Sequence, residues 1–489
     1  MNSITILLII AGYFGLLMLI SWISGRRATD NEAFFTGNRQ SPWWIVAIGM
    51  VGASVSGVSF VSVPGMVGGI QFSYMQTVLG FFVGYVVIAN VLLPLYYRLG
   101  LTSIYTYLGQ RFGDKSYTTG ASFFLLSKTI GAAARLYVVS LILQRMVFDA
   151  LHVPFYLTVF IILVLIWLYT FRSGIKSIVW TDTLQTIVMV IALCWMLYAL
   201  MQQLNVDIAG VSALLAQSDL SRVFVFDDWV SKQHFVKQFF SGIFIAIVMT
   251  GLDQDMMQKN LTCRNLRDAK KNMYWYGMAF LPFNLLFLIL GFLMLQFAMQ
   301  QGIVLPIRGD EILPFFALNH FPQTVFLIFI IGIIAAAFSS ADSALTALTT
   351  SFTVDILRMD HVNDNRAKRV RMIIHATLAV LFIGIILIFK ELNNSSVIDA
   401  IYVVVSYTYG PLLGLFSFGL FTKLKARDQW VPFIAVASPV ICFFADYFIK
   451  KYAGYAFGYE LLLLNGGLTF TGLYISSLYG NSISRIHHQ

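Results

Sequence analysis

Charge is what this 489-residue chain has least of: Asp, Glu, Lys and Arg make up 11% of it, against 58% hydrophobic residues, and its mean hydropathy is +0.78. Water-soluble domains are not built from such a mixture. Cysteine is scarce too. Cys194, Cys263 and Cys442 stand far apart, with no pair at disulfide-framework, metal or redox spacing. The seven histidines show no H-x-x-x-H or H-E-x-x-H pattern, and no glycine-rich phosphate loop interrupts the apolar runs, which removes the basis for an ATP-driven pump. An acid, base or nucleophile constellation is equally missing, so the chain is expected not to be an enzyme. The asymmetric distribution of its polar residues also argues against the repeated filter rings of a channel.

Apolar runs are what the chain has in abundance. About thirteen are long enough to cross a hydrocarbon core of about 30 Å. They fall near 3–24, 42–66, 72–97, 119–150, 154–171, 175–203, 236–256, 273–300, 323–356, 370–389, 396–422, 428–448 and 461–480. The predicted fold class is an all-α polytopic membrane protein. No intervening segment is long enough to be a separate folded domain. The expected partners are the lipid bilayer and a small-molecule solute, with no nucleic acid and no obligatory protein partner.

The formal net charge of +9 is explained by where the charges fall. With the N-terminus outside, Arg26, Arg27, Arg39, Arg98, Arg111, Lys115, Arg172, Lys176, the Lys259 to Lys271 and Arg358 to Arg371 clusters, Lys423 to Arg427 and Arg485 share one side. That is about 22 of the 32 Lys and Arg, a positive-inside pattern that places the C-terminus in the cytoplasm of a cell (plasma or inner) membrane. The first run has no basic n-region and no small-residue cleavage site, and is expected to be a retained helix.

Two runs are broken in corresponding places. The second contains "GASVSGVSFVSVPGMVGG" (52–69), closed by Pro64 and Gly65, and the seventh, five runs later, is interrupted by Gly242 and Gly251. An odd number of spans per repeat inverts the second copy, and paired interrupted helices point to a secondary transporter. Small residues that simply let helices approach closely are the alternative. The predicted organisation is an N-terminal extra helix and loop (1–41), a first inverted repeat (42–203), an extracellular loop (204–235), a second inverted repeat (236–422) and C-terminal helices (423–489).

The ninth run carries Ser339, Ser340, Asp342 and Ser343 within little more than one helical turn, so their oxygens cluster at one depth. A carboxylate at mid-membrane costs about 2.5–3.5 kcal/mol even on lenient scales and usually faces a cavity or partner. A hard cation such as Na⁺ would offset that cost, with further ligands from carbonyls freed by a broken helix. Asp182, with Thr181 and Gln185 nearby, is a second carboxylate inside a span, unless it caps or snorkels at the cytoplasmic end. Two such carboxylates can share Na⁺ or a proton.

Four stretches, "FSSADSALTALTTSFTVDIL" (338–357), "GIKSIVWTDTLQ" (174–185), "TGLDQDMMQKN" (250–260) and "YTYGPLLGLFSFGLF" (407–421), together resemble the sodium:solute symporter family. The resemblance implies a LeuT-type five-plus-five inverted repeat, with one helix before the core and two after, and one or two coupled Na⁺ ions. It implies a principal Na⁺ site from the carbonyls of Gly52, Val55 and Ala336 and the hydroxyls of Ser339 and Ser340. A second cation site, matched to the sialic acid branch, would use Asp182, Ser339, Asp342 and Ser343. That branch has a hydroxyl where this chain has Asp342.

The solute is expected beside the first break, where Ser54, Ser56 and Ser59 offer hydroxyls. Arg135 lies mid-span and resembles the arginine that meets the substrate carboxylate in sialic acid members. It is alternatively a structural partner of Asp182 or of a carbonyl. Phe72 and Gln76 resemble an aromatic and an amide of the same pocket. The expected function is Na⁺-coupled symport of a small polar solute, such as a sialic acid, sugar or organic acid. A proton-coupled permease of the same fold, or a Na⁺-coupled amino acid or neutral sugar symporter, is the alternative.

Overall fold

The computed structural model describes residues 3–25, 31–171, 174–359, 364–392 and 397–486. Arg26, Arg27 and Arg172, three of the charges assigned to the cytoplasmic side, lie outside the described residues. The apolar runs form helices α1 (Ser3–Gly25), α2 (Trp43–Ser54), α3 (Gly57–Gly65), α4 (Tyr74–Val87), α5 (Asp114–Leu143), α6 (Phe155–Thr170), α7 (Gly174–Leu204) and α8 (Phe235–Ala246). They continue as α9 (Gln254–Asn260), α10 (Leu266–Gln301), α11 (Gln323–Ser351), α12 (Asp364–Leu392), α13 (Val397–Phe421), α14 (Val431–Ala453) and α15 (Leu461–Ile486). Among the described residues there is no strand, only an isolated bridge between Ser41 and Cys263. Among the described residues ten helices are long and apolar enough to cross a membrane, and two bent pairs raise the number to twelve. The remaining expected span, 154–171, is the 16-residue α6.

Local chemistry sets the helix ends. Pro42, Pro154 and Pro322 stand immediately before α2, α6 and α11, holding an extended backbone that leads into each helix. Gly302 and Gly454 close α10 and α14 in the left-handed conformation that costs glycine little.

α2 and α3 meet at 60° across Val55 and Ser56, and the segment Phe235–Gly251 meets α9 at 69° across Leu252 and Asp253. Of the two glycines expected to interrupt the seventh span, Gly251 ends a π-helical turn (Ile247–Gly251) just before its bend. Gly242 instead lies inside α8 and packs. A Cβ on it would sit 2.3 Å from the Thr77 carbonyl oxygen, and one on Gly80 would sit 2.2 Å from that of Phe239. Backbone atoms cannot step aside, so Gly80→Ala is expected to destabilise the protein by about 1–3 kcal/mol or more through overpacking. Thermal unfolding in detergent checks this; an unchanged midpoint would contradict the contact.

α7 packs along α11, α4 along α8, and α2 against both α7 and α10, which brings the first bend and the polar turn of α11 together at the centre. Some of the loops assigned to one side touch one another. The Arg39 guanidinium donates to the Gly100 carbonyl at 3.0 Å, and Arg111 to those of Thr422 and Leu424 at 2.8 Å each. Lys259 is a correction to that assignment. The seventh span runs past its expected end near residue 256 to Asn260, so Lys259 is 1% exposed and inside the bundle.

Candidate functional site

The first bend leaves carbonyls without partners. Ser56 caps α3 by accepting from the Ser59 amide at 3.4 Å, while its own amide reaches only the Ser54 carbonyl, at 3.1 Å. Among the described residues no backbone amide donates to the carbonyl oxygens of Gly52, Ala53 or Val55. Buried carbonyls are ordinarily bonded, so orphans at a helix break call for another partner. α11 presents its hydroxyls here. Ser340 donates to the Ala336 carbonyl at 3.1 Å and lies 3.5 Å from the Ala53 carbonyl, and Ser339 donates to Asp182 Oδ1 at 2.6 Å. Ala336, Ser339 and Ser340 thus lie across from the break that holds Gly52 and Val55, as hard oxygen donors suited to Na⁺.

Asp182 and Asp342 are both fully buried. Asp182 Oδ2 forms an ion pair with the Lys259 ammonium at 2.7 Å. Asp342 accepts from the Tyr169 hydroxyl at 2.8 Å and from the Ser343 amide at 2.5 Å. Ser343 is buried beside them, its hydroxyl turned toward Asp255.

A cavity of about 110 Å³ lies between the two bends, lined by Ser54, Ser56, Ser59, Lys128, Arg135 and Asp253 among others. Ser54 shares a 2.6 Å hydrogen bond with the Tyr276 hydroxyl. Arg135 makes no hydrogen bond or ion pair among the described residues. Asp182, its alternative partner, is taken by Lys259. Lys128, seven residues before Arg135 and therefore on the same helix face, is held by Asp253 at 3.1 Å and Asp255 at 2.7 Å. Tyr409 adds a 2.5 Å bond to Asp253.

Phe72 and Gln76 are not among the cavity's lining residues. Phe72 packs edge-on against Phe292 at 6.4 Å. The Gln76 amide is spent on the loop between α7 and α8, donating to the Gln233 carbonyl at 2.9 Å and accepting from the Val225 amide at 3.1 Å. The ion pairs of Lys128 and Lys259 escaped the sequence reading. A lysine in the apolar run "LLSKTIGAAAR" is the signal that points to the first, because such a charge is retained only with a partner.

The second bend is sealed differently. Tyr96 donates to the Gly251 carbonyl at 2.8 Å and Tyr105 to that of Leu252 at 2.9 Å. The Asp253 carboxylate caps α9 by accepting from the Asp255 amide at 2.9 Å.

Comparison with known proteins agrees with this geometry. The sodium:solute symporter family matches residues 34–428. A sodium/sialic acid symporter of Aliivibrio fischeri is 24% identical over 84% of this chain and 82% of its own, and one of Proteus mirabilis is 23% identical over 85% and 84%. The solved structure of a substrate-bound, outward-open Na⁺-coupled sialic acid symporter superposes with a TM-score of 0.84 at 18% identity, covering 98% of both chains. The bent helices, the oxygen-lined break and the length of the match converge: this chain belongs to the sodium:solute symporter family, Na⁺-coupled symporters, and has their LeuT-type fold.

Proposed function

We propose that this chain brings a small carboxylate-bearing solute into the cell with Na⁺ by alternating access, its N-terminus outside and its C-terminus in the cytoplasm. The orphaned carbonyls of Gly52 and Val55 opposite Ala336, Ser339 and Ser340 support a Na⁺ site there. Na⁺ would tie the first bend to α11, and so complete the solute pocket beside Ser54, Ser56 and Ser59. The observation that carries the choice of solute is Arg135, a guanidinium with no hydrogen bond or ion pair among the described residues, on the wall of that cavity. Its planar fork suits a carboxylate bidentately, whereas a neutral sugar would leave the charge uncompensated. Relatives that are sodium/sialic acid symporters put sialic acids first among the carboxylates to try.

Thermal unfolding of the purified protein in Na⁺ against choline at fixed pH, with sialic acids, short carboxylates, amino acids and sugars, tests the reading. Na⁺ is expected to stabilise, and one carboxylate to add to it, by about 2.7 kcal/mol at a hundred times its dissociation constant. Stability indifferent to Na⁺ and tracking pH would replace Na⁺ coupling with proton coupling. A neutral sugar stabilising where every carboxylate is inert would remove Arg135 from its role.

A further inference from the structure

Four carboxylates, Asp182, Asp253, Asp255 and Asp342, and two ammoniums, Lys128 and Lys259, are buried around the inner half of the site. Lys128 lies between Asp253 and Asp255. Lys259 lies on Asp182 at 2.7 Å, and the Ser339 hydroxyl takes the other Asp182 oxygen at 2.6 Å. Both oxygens of Asp182 are thus engaged by the chain's own donors, one of them a cation. A Na⁺ on that carboxylate would stand beside an ammonium with no water between to screen the repulsion. Lys259 is fixed on α9 directly below the second bend. Its charge stays with the protein through the cycle.

Asp342 has no basic side chain within ion-pair distance among the described residues. The titratable groups that act on it are Asp182 on α7, Lys259 on α9 and Tyr169 on α6, with Tyr13 of α1 close by. Both of its oxygens accept from the chain itself, one from a phenol and one from an amide.

We propose that Lys259 is the resident cation of the second site: its ammonium occupies Asp182 in place of a carried ion, the oxygens of Asp342 are taken by Tyr169 and Ser343, and the chain binds a single Na⁺ at the first bend. The inference rests on the Na⁺ reading above and goes beyond it by fixing the number of ions. With a monocarboxylate solute, one Na⁺ makes the carried charge zero.

Equilibrium binding of radioactive Na⁺ to the purified full-length protein, at fixed pH and saturating Na⁺, reads the number directly. About one ion per chain is expected in the wild type and in Lys259→Arg, and about two in Lys259→Met, where Asp182 is released. Two ions in the wild type would overturn the inference, whether or not the Met variant folds. Two falling to one in Asp342→Asn would name Asp342 as a Na⁺ ligand instead. A single ion in a folded Lys259→Met protein would equally overturn it, because the freed carboxylate would have taken no Na⁺. No bound Na⁺ at all would overturn the principal site itself, a failure of the preceding reading distinct from a count of two.

Discussion

Arg135→Gln is expected to lose Na⁺-driven uptake of carboxylate solutes while keeping the stabilisation that Na⁺ gives. The substitution keeps a polar side chain of moderate length on the same wall of the cavity but removes the charge and the fork. Removing one partner of a desolvated, hydrogen-bonded charge pair costs about 2–5 kcal/mol, which is about 30-fold to several thousand-fold in affinity at 1.36 kcal/mol per decade. Arg135→Lys keeps the charge without the bidentate geometry and should fall between. Radiolabelled uptake in vesicles measures the first effect, and the Na⁺-induced shift in unfolding temperature measures the second. Unimpaired uptake by the Gln variant would place the carboxylate elsewhere. Loss of the Na⁺ shift together with uptake would make Arg135 a structural residue.

Asp182→Asn is expected to be strongly destabilising although it is isosteric. It leaves the Lys259 ammonium, 1% exposed, without its carboxylate partner, and the single oxygen of the amide can serve Lys259 or Ser339 but not both. Breaking a buried pair from one side costs about 3–5 kcal/mol. The double variant Asp182→Asn with Lys259→Met removes both charges and should recover much of that loss, so the two effects will be far from additive. Denaturant unfolding of the four proteins closes the cycle. Additive losses would show that the two side chains do not act as a pair.

The parts of this site that could be read along the chain are those that break a local rule. Asp182, Asp342 and the hydroxyls around Ser339 interrupt apolar runs that have no other use for them, and the Gly and Ser residues around Val55 mark a helix that cannot continue. Lys259 was hidden because "DQDMMQKN" is polar enough to look like the start of a cytoplasmic loop. That stretch is a helix surrounded by protein instead of lipid, so the usual link between polarity and the membrane surface fails there. Gln76 was hidden for a different reason. Four-residue spacing puts it on the same helix face as Phe72, but what that face meets depends on a loop about 150 residues away in the chain, whose carbonyl and amide consume the side chain.

The two bends are not equivalent, although the spans that carry them stand in corresponding places. At the second, tyrosine hydroxyls stand where water or an ion would otherwise be needed, so that joint is set by the polypeptide alone. At the first, no backbone amide among the described residues reaches the matching oxygens of Gly52 and Val55, which is where the proposed Na⁺ would sit. On the proposed Na⁺ site, a cell whose sodium supply has run down would leave one knee of the machine braced and the other slack. Such a carrier would idle with only its first joint loosened, and salt would restore it.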